Sequence, residues 1–254
     1  MTYGIGKDNA EMFFYSNRHL LGGTPSGVVL DFHGLNGGTD LLREDPDYAR
    51  RLAADGVLYL FPYNGPWSWM NDTAVRLTGQ IVGAVYEKYQ LDSSVPLIAS
   101  GGSMGGLASL IYTRWAGEMT NGVPIPSACA ADSPVCDLPY HYTEREDLPR
   151  TLVSAFGHYS IPLAEAMKTA SPYHQADQMP DIPYFIVHGT ADTAVSKTHH
   201  SDRLVPRLKE RHRVEYLQVE GMEHCAMPPD AYARYRDFIW THSGLLHSAP
   251  AMSE

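Results

Sequence analysis

Gly101-Gly102-Ser103-Met104-Gly105 is the stretch of this sequence whose residue types and spacing most demand a chemical explanation. It fits G-x-S-x-G and stands between an apolar run, Val95–Ser100, and a helical pattern, Met104–Ala116, the strand–turn–helix setting of a nucleophile elbow. The turn is so sharp that the serine takes a strained backbone conformation, and the flanking glycines let strand and helix approach. The hydroxyl is then presented at a helix N-terminus, where backbone N–H groups favour developing negative charge. The bland alternative is a glycine-rich phosphate loop. The segment lacks the Gly-Lys-Ser/Thr ending of a P-loop and does not fit G-x-G-x-x-G from Gly101.

A serine hydroxyl needs a base, and the base needs an orienting acid. In the elbow architecture these follow in the order serine, acid, histidine. Asp192 lies in His188-Gly-Thr-Ala-Asp192, just after a strand pattern, and His224 closes Glu220-Gly-Met-Glu-His224, just before the last helix pattern. Ser103, Asp192 and His224 are therefore the expected catalytic residues. Asp132 and Asp137, after the Ser127–Ala131 run, are rivals for the acid, and the plain reading of Asp132 is a loop-fixing carboxylate.

The elements that must position these residues are legible as alternation. Strands are expected over Glu11–Ser16, Gly27–His33, Val57–Phe61, Val95–Ser100, Ser127–Asp132, Pro183–His188 and Arg213–Val219. Most are continuous apolar runs, as in strands buried on both faces of a parallel sheet. Helices are expected over Asp45–Asp55, from Asn71 or Asp72 through Tyr89, and over Met104–Ala116, Ser196–Glu210 and Pro229–Thr241. Such alternation predicts an α/β fold, with a mostly parallel twisted sheet and helices on both faces. The segment 137–181 breaks the rhythm with two short helical patterns, Glu144–Ala155 and Pro162–Thr169. It reads as a small cap insertion in one domain spanning 1–254. The tail after Gly244 reads as loosely ordered.

Composition excludes several classes. At 254 residues a chain buries about 70–75% of its unfolded surface, and 44% apolar residues are far too many for a disordered chain. Lys plus Arg is 19 against 29 Asp plus Glu, a net charge of −10, which argues against a nucleic-acid partner. The charge suits a neutral or sugar-like substrate better than an anionic polymer. The apolar runs fall far short of the ~20 residues of a membrane helix. Cys129, Cys136 and Cys225 are an odd number and no disulfide framework. Reduced thiols and an N-terminus without the pattern of a signal peptide make the expected location cytoplasmic. No H-E-x-x-H or C-x-x-C spacing occurs, so neither metal nor other cofactor is expected.

With these residues in view, the chain resembles α/β-hydrolases of the branch that contains prolyl-oligopeptidase-like and dienelactone-hydrolase-like esterases. The resemblance rests on Asp31-Phe-His-Gly34, Gly101-Gly-Ser-Met-Gly-Gly106, Ser171-Pro172, His188-Gly-Thr-Ala-Asp192 and Gly221-Met-Glu-His224. It implies esterase or peptidase chemistry without a cofactor. Dienelactone hydrolases proper carry a cysteine at the elbow, and haloalkane dehalogenases an aspartate; Ser103 departs from both. The resemblance places the oxyanion hole at the N–H groups of Met104 and Leu35, with Gly34 as the fallback in His33-Gly34-Leu35-Asn36-Gly37-Gly38. It also implies that His33 braces the oxyanion loop and His188 the acid loop.

Trp67 and Trp69 follow the Val57–Phe61 strand and read either as an aromatic wall for a sugar ring or aryl acyl group, or as a plug against the core. Trp67, Trp69, His33 and Tyr140 are the candidate substrate-binding residues. The expected function is a serine carboxylic-ester hydrolase for short-acyl or aryl esters, acetylated or feruloylated carbohydrate among them. The alternatives are a small prolyl-oligopeptidase-like peptidase, although the chain ahead of Gly27 is too short for a propeller, and a non-catalytic binding module. Relatives of that last kind lose the serine or the histidine, and both are kept here.

Overall fold

A computed structural model describes residues 4–37, 45–119 and 123–244. Among these residues seven strands form one sheet: β1 (Phe14–Ser16), β2 (Gly27–Phe32), β3 (Val57–Pro62), β4 (Leu97–Gly102), β5 (Ala128–Asp132), β6 (Tyr184–Gly189) and β7 (Val214–Val219). Their order is β1-β3-β2-β4-β5-β6-β7; only β1 runs antiparallel. The central strands are buried on both faces, which is why they read as apolar runs rather than alternating ones. On β2, Val28, Leu30 and Phe32 join the core under α2 (Asp72–Lys88), α3 (Met104–Ala116) and α8 (Ser201–Lys209). Val29 faces the other core, beneath α1 (Asp47–Ala54) and α9 (Pro229–His242). The β7 edge is only half buried and alternates accordingly.

The first strand is shorter than its apolar pattern suggested. Ala10–Met12 is a 3₁₀ turn closed by Phe13 N–H on the Ala10 carbonyl at 2.8 Å, and pairing with β3 begins at Phe14. The helix expected from Ser196 begins only at Ser201. Ser196 Oγ bonds Thr198 Oγ1 and His199 Nδ1, and such local side-chain bonds compete with a helical start. The helix α2 begins where its cap lies, with Asn71 Oδ1 accepting the Ala74 N–H at 3.0 Å.

Between β5 and β6 run α4 (Leu138–His141), α5 (Leu148–Phe156), α6 (Leu163–Thr169) and α7 (Pro172–Gln175). The helix expected from Glu144 starts at Leu148 with Pro149 in its first turn, a position that tolerates the missing N–H. The insertion is fastened to loops at the C-terminal ends of the strands. Trp69 Nε1 donates to Thr151 Oγ1 at 3.0 Å and Asn71 Nδ2 to the Ala155 carbonyl at 2.8 Å. Among the described residues no helix is long and apolar enough to cross a membrane. The tail beyond Gly244, like Gly38, lies outside the described residues.

Candidate active site

Ser103 sits between β4 and α3 with φ 58° and ψ −122°, a strained conformation for a residue with a side chain. The glycine spacing around it is enforced by backbone contact. A Cβ on Gly101 would lie 2.5 Å from the Gly105 carbonyl oxygen, and one on Gly105 would lie 2.1 Å from that of Phe32. Strand and helix therefore touch where only hydrogen can stand. Ser103 N–H donates to the Asp132 carbonyl at 2.9 Å, which ties the turn to the end of β5.

Asp192 follows β6, and His224 follows β7. His224 Nδ1 donates to Asp192 Oδ2 at 2.7 Å, while Asp192 Oδ1 accepts the N–H groups of Ala194 and Val195, both at 2.9 Å. The Asp192 carboxyl is fully buried, and His188 Nε2 lies 3.2 Å from its Oδ2. Burial alone would raise its pKa; hydrogen bonds from His188, His224 and the Val195 N–H outweigh that and hold it well below the usual carboxylate range. With Nδ1–H committed to an ionised partner, Nε2 of His224 is left with its lone pair (a tautomer assigned from this network), the state a general base requires.

The His224 loop is joined to the elbow through its next residue. Cys225 N–H donates to Ser133 Oγ at 3.3 Å, and its Sγ lies 3.8 Å from His224 Nε2. That sulfur would stand 3.1 Å from a Cβ on Gly102, the residue before the serine. Ser103 Oγ itself makes no hydrogen bond to His224 within 3.5 Å in this structure; such contacts are commonly loose before substrate seats.

Asp132, the rival acid, does not touch His224. Its Oδ1 accepts from Ser133 Oγ at 2.9 Å, and Ser133 Oγ accepts from Cys225 N–H. Burial raises its pKa. It fixes loops, as the plain reading had it. Ser133 (φ 44°) and Cys225 (φ 51°) share with Ser103 the left-handed region, so three strained residues meet in this one network.

In the loop after β2, Gly37 N–H bonds the Gly34 carbonyl and Asn36 N–H bonds that of Pro66. Neither Leu35 nor Met104 donates its N–H to an acceptor among the described residues. A Cβ on Gly34 would lie 3.9 Å from Ser103 Cβ, so this loop stands beside Ser103.

The substrate-binding candidates fare unequally. Trp67 is 39% exposed on the loop that Pro66 joins to the oxyanion loop. Trp69 is 1% exposed, bonded to Thr151 and edge-on to His141 at 5.4 Å, so the plug reading describes it and the open-wall reading does not. His33 is 8% exposed, its nitrogens against the Gly34 and Asn64 carbonyls at 2.8 and 3.2 Å, contacts that tie the loop after β2 to the chain after β3. Tyr140 stacks on His199 with ring centres 4.2 Å apart.

Sequence reasoning missed a second buried cluster. His141, Glu144 and His200 each offer a ligand atom within 4.8 Å of the others, the kind of set that could hold a metal. His200 Nδ1, however, accepts N–H bonds from Cys136 and Asp137 at 3.0 and 3.2 Å. Its Nε2 must therefore carry the proton and donates it to Glu144 Oε2 at 2.8 Å. A ligating histidine normally shows the opposite polarity, with its remote nitrogen donating. No spacing in the sequence signals this cluster, because its members come from the insertion and from the turn before α8.

No family model matches the sequence, and no curated protein matches it in sequence. Solved structures do match in shape. An acylaminoacyl peptidase from Pyrococcus horikoshii is 15% identical with a TM-score of 0.66 over 90% of this chain, which spans only 39% of the length of that one. A thermophilic esterase from Thermogutta terrifontis is 19% identical, TM-score 0.63, over 94% of this chain and 90% of its own. A truncated carbohydrate esterase from gut microbiota is 17% identical, TM-score 0.66, over 87% of each chain. With its mostly parallel seven-stranded sheet flanked by helices, the chain has the α/β-hydrolase fold.

Proposed function

We propose that the protein is a serine carboxylic-ester hydrolase of the prolyl-oligopeptidase-like and dienelactone-hydrolase-like branch. The observation that carries the reading is Ser103, held at φ 58° in the elbow, with the His224–Asp192 pair joined to the same elbow through Cys225. Nε2 of His224 takes the proton from Ser103 Oγ as Oγ attacks the ester carbonyl. The N–H groups of Leu35 and Met104 receive the oxyanion. His224 then gives its proton to the departing alcohol, and a water molecule repeats the sequence on the acyl-enzyme. Asp192 remains ionised throughout and stabilises the imidazolium.

The substrate class is a short-acyl or aryl ester, with acetylated and feruloylated carbohydrate as the specific candidates. The exposed Trp67 beside the oxyanion loop supports a ring-bearing substrate. Esterases and a carbohydrate esterase stand among the structures of like shape beside acylaminoacyl and dipeptidyl peptidases, so these likenesses support a hydrolase and the choice of ester over amide falls to the assay. The test is a panel of p-nitrophenyl esters from acetyl to dodecanoyl, acetylated and feruloylated oligosaccharides, and an aminoacyl anilide, run beside Ser103→Ala. The expected result is turnover of acetyl or feruloyl esters that falls at least about 10³-fold in Ser103→Ala. Preference for acyl chains of eight carbons or more would overturn the short-acyl reading, and selective cleavage of the anilide would favour a peptidase.

A further inference from the structure

The insertion and the loop that carries Asp192 meet at one side chain that the reaction scheme does not use. Glu144 lies in the turn between α4 and α5, its side chain 10% exposed. Its Oε1 accepts the Ser196 N–H at 3.0 Å, and its Oε2 accepts from His200 Nε2 at 2.8 Å and from His141 Nδ1. Asp192 already takes the N–H groups of residues 194 and 195. Two carboxylates thus divide three successive backbone N–H groups of one loop, Asp192 from within and Glu144 from the insertion. His200 extends the join to the chain after β5, through Cys136 and Asp137, and His141 extends it to the buried Trp69.

We infer that Glu144 is a positioning residue for the proposed triad: it locks the insertion onto the acid loop and so fixes where Asp192 holds His224. The inference rests on the triad reading above. Burial works against an ionised Glu144, but the hydrogen bonds from His141 and His200 outweigh it and hold the carboxyl well below its ordinary range, so the lock stays charged at neutral pH. Three donors converge on it, and an amide in its place would turn an NH2 toward one of them.

The experiment compares the parent enzyme with Glu144→Gln and Glu144→Asp. It reads thermal melting, p-nitrophenyl acetate kinetics, and the far-downfield proton resonance of the His224 Nδ1–H···Asp192 hydrogen bond. A displacement of the acid loop by even an ångström lowers kcat about 10- to 100-fold. Glu144→Gln is expected to show that loss with KM within about twofold of the parent, and a broadened or missing resonance, in a protein that still melts cooperatively. Glu144→Asp, charged but one methylene short, is expected to fall between the two. A folded Glu144→Gln with parental kcat and an intact resonance overturns the inference. Should Glu144→Gln not fold, Glu144→Asp decides in the same way. If the parent hydrolyses no ester, the functional proposal fails, while the resonance still reports whether Glu144 positions the pair.

Discussion

Ser103, Asp192 and His224 were legible because elbow chemistry constrains their neighbours as tightly as themselves. Glycines must flank the serine, and the acid and the histidine must each follow a strand. Glu144 was not legible, since two of its three partners lie 52 and 56 positions away and its near neighbour His141 forms no recognisable motif with it. Asp31 shows a different residue-scale tension. It is partly buried on β2, where Ser100 Oγ at 2.8 Å and Tyr59 OH at 2.9 Å donate to it, and desolvation pushes its pKa up to about 6 against those bonds. Its folded value lies above the unfolded one of about 4, so the folded state holds its proton more tightly. Stability from this group is therefore greatest below about pH 4 and declines as pH rises to about 6, above which the deficit is constant. Asp31→Asn removes the deficit. Thermal melts are expected to show the variant more stable than the parent by a few °C at pH 8, with that advantage gone at pH 4; an equal shift at both values would contradict the pKa.

At the scale of elements, the strand–helix contact under Ser103 is what the fold contributes to the chemistry. The β4–α3 turn works because β2 and α3 meet backbone to backbone at Phe32 and Gly105. Gly105→Ala would force a Cβ into the Phe32 carbonyl, and relief must come from moving strand or helix. Urea unfolding is expected to show a loss of about 1–3 kcal/mol or more, together with lost esterase activity. Gly65→Ala, where a Cβ meets nothing within 4 Å, is expected to stay within about 0.5 kcal/mol. Six of the seven strands were readable to within about two residues because buried parallel strands write continuous apolar runs. The short helices α4 and α7 escaped notice, since four residues carry no periodicity. The start of α8 was misplaced, because the Ser196 hydroxyl satisfies its neighbours locally instead of entering the helix.

For the whole molecule, the sheet gathers at one edge residues that the chain holds far apart. The ends of β2, β4, β6 and β7 carry the residues proposed as oxyanion loop, nucleophile, acid and base, and the insertion after β5 fastens to the loops around them. This arrangement is what alternating strand and helix patterns foretold. Which aromatic would be buried was not foretold: Trp69 lies beneath the insertion and Trp67 at the surface, and only the packing of the insertion distinguishes them. The central claim, that the assembled site activates Ser103, is tested most directly by a fluorophosphonate, which reacts with an activated serine without regard to acyl preference. The account predicts that the intact protein gains the mass of one phosphonyl group, that the adduct maps to Ser103, and that Ser103→Ala gains none. An unmodified protein, or an adduct on any other residue, would contradict it.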